Sequence, residues 1–200
     1  MWSYPPFSKH HQEKKELAHE PPLRADAQRN KTRILAAAEE IFYERGAGVS
    51  LEDVAKRAGV GIGTLYRRFP TREALLAAAY SDRFLALSEA SRVRAPSLDP
   101  LDALRLYLEE LVQYTNVYRG IAASLGTVLQ IGTPGCVATR EEGTRLLQNG
   151  QAVGAVRSDI SFDDLVCIAT AISLATEQDS APQPHIAHLV GLFLHGIALR

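Results

Sequence analysis

Long apolar runs are missing from this chain of 200 residues. None reaches the roughly 18 residues that a membrane-spanning helix requires, so no membrane partner is expected. Met1 to Glu20 mixes Lys, His, Glu and Pro without the apolar stretch of a secretory signal, which predicts a cytoplasmic protein. Cysteine is scarce. Cys136 and Cys167 stand apart in apolar surroundings, without metal-ligand spacing, and read as small buried hydrophobes. Neither sign of charge dominates. With 22 Lys and Arg against 23 Asp and Glu, the net charge of −1 argues against a chain that coats nucleic acid indiscriminately.

Signatures of catalysis are absent as well. There is no Gly-x-Ser-x-Gly elbow, P-loop, dinucleotide fingerprint or His-Glu-x-x-His run, so no enzyme, catalytic residue or cofactor is expected. No metal is expected either. His188 and His195 share a face of the last predicted helix, but seven residues of helix rise about 10 Å, too far for one ion within a chain. Strand signals are missing too: Val and Ile are dispersed at helical spacing. Asn149-Gly150 could turn a hairpin, yet Leu146, Leu147 and Val153 around it keep a helical period.

What remains is the composition of an ordinary globular chain, 46% hydrophobic and 22% charged, long enough for one good core or two small ones. The charge is unevenly placed. Up to Arg83 there are 14 basic residues against 11 acidic ones, and from Phe84 onward 8 against 12. That polarity suits a basic head on an acidic body.

Residues 1 to about 28 hold Pro5, Pro6, Pro21 and Pro22 among scattered charges and read as a mobile arm. It is either an inert tail or, through Lys14, Lys15, Arg24 and Arg29, drawn to a nucleic-acid groove. From Lys31 the apolar period becomes 3.6, with Ile34, Leu35, Ala38, Ile41 and Phe42 on one stripe of a helix ending before Gly46. Ser50-Leu51-Glu52-Asp53 is a capping box opening a second helix, which Gly59 stops. A short third helix spans about Ile62 to Arg68. Thr71 caps a long fourth helix to about Ser91. Asp99-Pro100 opens a fifth helix to about Arg119. Ile121 to Ile131 and Cys136 to about Ala155 follow. Ser161 to Asp164 is a second capping box, opening a helix through Ala175. Pro182 and Pro184 separate it from a last helix, about His185 to Leu199. The expected fold is all-α with about nine helices.

The informative stretch runs from Ser50 to Leu76. Helix, Gly-containing turn and second helix form the geometry that sends the second helix into a DNA major groove while the first lies across the backbone. Gly59 supplies the positive φ of the turn. On the third helix Gly61 and Gly63 remove side chains, which lets the backbone approach a phosphate or base edge. Thr64, Tyr66, Arg67 and Arg68 project as a dense set of donors. Arg72 sits in the first turn of the next helix, where a cation opposes the macrodipole, and is assigned to a DNA phosphate that offsets it. Ser50 completes the expected DNA-binding set.

The run from Val49 to Val60, followed by Gly63-Thr64-Leu65-Tyr66-Arg67-Arg68-Phe69-Pro70-Thr71-Arg72-Glu73-Ala74-Leu75, resembles the DNA-binding domain of the TetR/AcrR family. The likeness begins near Arg29 and holds to about Tyr80. Arg72 stands where Lys is commoner, and Gly61 and Ile62 replace a more usual polar pair. The resemblance implies three parts: an arm over 1–28, a helix-turn-helix domain over 29–75, and an effector-binding and dimerisation body over 76–200. It implies a homodimer that binds pseudo-palindromic double-stranded operator DNA, most commonly as a repressor, and is released by a small-molecule effector.

In the body, the resemblance implies that the last two long helices pair with their copies. The residues agree: Phe162, Leu165, Ile168, Ile172, Leu189, Leu192, Phe193 and Gly196 make apolar stripes broader than one intrachain contact requires. Tyr107, Leu111, Tyr114 and Tyr118 form a stripe on the fifth helix that Leu125 and Leu129 could face. This is either plain core or an apolar pocket with a few aimed polar groups. Few charges line it, which suggests an uncharged or weakly cationic, partly aromatic effector. Two other functions compete, a helical adaptor for a partner protein and an enzyme using the body's pocket. The basic Tyr66-Arg67-Arg68 end speaks against the adaptor, and a helix-turn-helix would be idle in an enzyme.

Overall fold

The computed structural model describes residues 22–117 and 120–198. Among them are ten α-helices and no strand; Val156 and Ala198 form one isolated antiparallel bridge. The head comprises α1 (Pro22–Arg45), α2 (Leu51–Ala58), α3 (Ile62–Arg68) and α4 (Arg72–Ala79). The body comprises α5 (Ser81–Arg94), α6 (Pro100–Asn116), α7 (Leu125–Gln130), α8 (Pro134–Ala152), α9 (Phe162–Thr176) and α10 (Pro182–Ile197). One apolar core runs through both, from Ile34 and Phe42 in the head to Val190 and Ile197 in the body. No helix among the described residues is long and apolar enough to cross a membrane.

Local chemistry explains most boundaries. The Ser50 side chain accepts from the Asp53 amide at 3.1 Å and Thr71 from the Ala74 amide at 3.1 Å, each satisfying a free amide of a helix start. Asp99 does the same for Leu101 at 2.9 Å. Ser161 and Asp164 form the full reciprocal capping box. At Ser50 only half of the expected box exists, because the Asp53 carboxylate turns instead to Arg45, 3.1 Å away.

Several expected boundaries shift. Helix α1 starts at Pro22, so the last residues of the region read as an arm are helical; proline is tolerated in a first turn because its missing N–H has no partner there anyway. Pro182 and Pro184 likewise lie in the first turn of α10 rather than before it. The long fourth helix is two, broken at Tyr80, whose φ of −98° and ψ of 2° leave the helical region. The segment Ile121 to Ile131 divides into a 3₁₀ turn, Ala122–Ser124, and α7.

The break at Tyr80 is held by α8. The Ser81 hydroxyl accepts from the Gly135 amide at 3.0 Å, and Thr133 donates to the Ala77 carbonyl at 3.4 Å. The backbones are so close that a Cβ at position 135 would stand 2.1 Å from the Ser81 carbonyl oxygen. Further along, the Ser88 and Thr139 hydroxyls lie 3.4 Å apart in the same α5–α8 interface.

Candidate nucleic-acid interface and body cleft

The turn between α2 and α3 is built as its residues predict. Gly59 has φ of 63°, the left-handed conformation that a Cβ penalises. Arg33 of α1 fastens this turn from behind, donating to the Ala58 carbonyl at 3.0 and 2.7 Å and to the Gly59 carbonyl at 2.5 Å. Sequence reasoning missed that clamp, since 25 residues separate Arg33 from Ala58.

Helix α3 buries one side chain only, Leu65, which is fully inaccessible. Tyr66 is 43% exposed, Arg67 and Arg68 are exposed beside it, and Thr64 is half-buried. Gly61 and Gly63 have no positive φ, and a Cβ at either would meet nothing within 4 Å. The fold itself therefore asks for glycine at neither position. Their use is a bare outer surface.

The first turns of α1 lie beside that surface. A groove of about 410 Å³ between the two helices is lined by Asp26, Asn30, Lys31, Thr64, Arg67 and Arg68. The α1 residues joined this set only through folding. Arg29 pairs with Asp26 on the same helix.

Arg72 takes a different role from the phosphate contact expected of it. Its Nη1 donates to the carbonyl oxygens of Ala47 and Val49, both at 2.6 Å, and the residue is half-buried. A cation at a helix start is thus offset by two carbonyl dipoles of the α1–α2 loop.

In the body, Tyr107, Leu111, Leu125 and Leu129 do come together, but as solid core with at most 1% exposure. The Tyr107 hydroxyl donates to the Thr139 carbonyl at 2.6 Å. Burial, with a smaller push from the Glu142 carboxylate, raises its pKa and keeps the phenol protonated. Tyr114 is separated from them and 36% exposed. Tyr118 lies outside the described residues. Tyr114 lines instead a cleft of about 400 Å³ with Arg83, Gln113, Asn116, Val117, Pro182 and Gln183, where the start of α5, the end of α6 and the start of α10 meet.

The two apolar stripes of α9 and α10 are each divided. Phe162, Leu165 and Ile172 are buried in the chain's own core and are not free to meet a partner. Phe162 packs so near α8 that a Cβ on Gly143 would lie 2.3 Å from its ring, and Arg140 stands over that ring at 5.3 Å. Facing outward are Leu192, 58% exposed, and the half-buried Ile168, Leu189 and Phe193, with Gly196 exposed and Leu174 at 49% added to them. The reason is angular. Ile186, Val190, Leu194 and Ile197 occupy the inner sector of α10 at i, i+4, i+8 and i+11, leaving Leu189, Leu192 and Phe193 to point elsewhere. Cys136 is buried as expected, whereas Cys167 is exposed on the outer side of α9.

The helix-turn-helix with its bare, basic α3 has known counterparts. Bacterial regulatory proteins of the tetR family match over residues 34–79, and the C-terminal domain of SbtR-like transcriptional regulators matches over residues 99–199. The chain belongs to the TetR family. Among TetR-family relatives, UidR of Escherichia coli K12 is 30% identical over 114 residues, 55% of each chain. The chain thus spans about half the length of the curated relatives it matches first. The transcriptional repressor KstR of Rhodococcus jostii is 27% identical over 171 residues, covering 78% of this chain and 80% of that one. The crystal structure of the TetR regulator SCO0520 from Streptomyces coelicolor is 34% identical with a TM-score of 0.52, covering 84% of this chain and 98% of its own.

Proposed function

We propose that the chain is a cytoplasmic repressor that binds a pseudo-palindromic operator as a homodimer and lets go when a small molecule occupies the body. The observation that carries the reading is α3. It buries Leu65 alone and turns Thr64, Tyr66, Arg67 and Arg68 outward around two glycines that packing does not require. Arginine side chains read guanine O6 and N7 or phosphate, and hydroxyls reach phosphate oxygens. Similarity to the repressor KstR supports the sign of regulation.

A second copy suits both ends of the molecule. Ile168, Leu174, Leu189, Leu192 and Phe193 offer an outward apolar face on α9 and α10, and two heads one DNA turn apart read an inverted repeat. Release follows from linkage: an effector that favours a different separation of the heads weakens operator binding by the coupling free energy. The lever is the α4–α5 pair, jointed at Tyr80 and clamped by Gly135.

Selection from a random duplex pool with the purified chain, at near-physiological salt and without added ligand, tests the reading. Enrichment of an inverted repeat is expected. Enrichment of no sequence would overturn it.

A further inference from the structure

We propose that the groove between α1 and α3 seats a phosphate of the DNA backbone, held by Lys31 and Arg68 with the Asn30 amide beside them. This rests on the reading of the chain as an operator-binding regulator. It adds α1 to the DNA-binding surface and gives Arg68 a phosphate rather than a base.

The basic side chains of the head fall into two groups. Arg33, Arg45, Arg57 and Arg72 are each held by a carbonyl or carboxylate of the head itself. Lys31 and Arg68, which line the groove, have no hydrogen bond or ion pair among the described residues. Arg67 lines it with them, and its Nη2 reaches only the Thr64 hydroxyl, at 3.5 Å. The carboxylate in the lining, Asp26, is already paired with Arg29 of its own helix. Three cations thus converge on a space of about 410 Å³ with no free anion facing them among the described residues. Like charges so placed repel one another, and an anion between them removes that cost.

Placement on α3 separates Arg68 from the reading face. At about 100° per residue, Thr64 and Arg68 fall on the flank toward α1, and Tyr66 falls on the opposite one. A helix lying in a major groove has base edges beneath it and a sugar-phosphate backbone along each flank. Arg68 therefore meets the backbone on the α1 side, and Lys31 closes on the same phosphate from α1. Lysine and arginine both serve there, since phosphate contacts position the protein and carry no sequence.

The walls are set before DNA arrives. Ile34, fully buried, is part of the lining, and Asn30 and Lys31 are half-buried. Next to them on α1, Arg33 ties that helix to the turn leading into α3 through the Ala58 and Gly59 carbonyls. A groove whose two sides are already fastened together loses little freedom when a phosphate enters.

Salt-dependent DNA binding by the full-length chain tests this, using Lys31→Gln, Arg68→Gln, Arg68→Lys and the double glutamine variant. One duplex has random sequence, and the other carries the inverted repeat that selection enriches. Both positions lie outside the core, so melting temperatures should match the parent. Because the two side chains share one phosphate, the double variant should flatten the slope of log Kd against log salt by about one unit per bound chain, not two. The loss should be the same on both duplexes, and Arg68→Lys should keep the parental slope. On the enriched repeat, neutral methylphosphonate placed at one backbone position at a time should find a position that weakens the parent and leaves the double variant unaffected. A parental slope in the double variant, a loss confined to the inverted repeat, or the lack of such a backbone position would each overturn the groove. Failure of the wider reading looks different. Slope loss on the random duplex without any enriched repeat keeps the groove and sinks the operator reading, whereas an enriched repeat bound with parental slope by the double variant sinks the groove alone. A parent that binds neither duplex sinks both.

Discussion

Ser91 on α5 donates a 2.6 Å hydrogen bond to Glu142 on α8, a carboxylate with no solvent exposure. Arg145 adds two hydrogen bonds of 2.8 Å and Arg92 lies 3.4 Å away, so the buried charge is paired on every side. Together with the Gly135–Ser81 contact it makes α5 and α8 one unit. Anything that moves α8 moves the joint leading to the head.

Glu142 makes stability depend on acid. Burial pushes its pKa up, but the hydrogen bonds from Arg145 and Ser91 and the Arg145 and Arg92 charges outweigh this and hold it below the ordinary carboxylate value. The folded pKa lies under the unfolded one. The contribution is therefore complete above the ordinary carboxylate range and drains as pH falls through it. Glu142→Ala should cost about 2 kcal/mol at neutral pH, and the gap to the parent should narrow in acid. Denaturant unfolding at neutral and acid pH checks this; a gap that stays constant would reject the charge as its source.

Two glycines of the head should respond oppositely to alanine. At Gly63, inside a helix with open space around its Cα, alanine should raise stability by about 0.5–1 kcal/mol while weakening operator binding. At Gly59, with φ of 63° and Arg33 Nη2 only 2.7 Å from the new Cβ, it should destabilise by about 1–2 kcal/mol. Paired melting and operator titration decide, and an unaffected operator affinity in Gly63→Ala would count against a bare reading surface.

Arg72 and the α3 side chains divide structure from recognition. Arg72→Ala should lower the melting temperature of the head, since two loop carbonyls lose their donor. Tyr66→Ala and Arg67→Ala should leave the melting temperature unchanged and cut operator affinity by about tenfold or more. If Arg67 meets a phosphate, its loss also flattens the salt dependence by about one unit of slope; if it meets a base, selectivity relaxes instead.

The divided stripes predict a clean separation of folding from assembly. Leu192→Glu, at an exposed position, should yield a folded monomer that binds operator poorly. Leu165→Ala, in the inner core, should cost about 2–5 kcal/mol. Sedimentation together with circular dichroism distinguishes the two, and a Leu192→Glu dimer of parental affinity would remove this face from the interface.

Sequence by itself determined the elements whose cause is local. Capping by Ser50, Thr71, Asp99 and Ser161, the αL turn at Gly59 and the outward donors of α3 all follow from neighbours within a helical turn or two, and all were legible. Helical period also showed that α9 and α10 are apolar. It did not show which sector the chain keeps for itself, because the same stripe serves an inner or an outer partner. Only tertiary structure decided that Phe162, Leu165 and Ile172 are core, that Arg72 holds Ala47 and Val49, and that Tyr107 is filled space. It also brought Arg83 to Tyr114 and Gly120 to Ala47. These are contacts across tens of residues, set by how helices cross and how closely small residues let them approach, and periodicity carries no record of them.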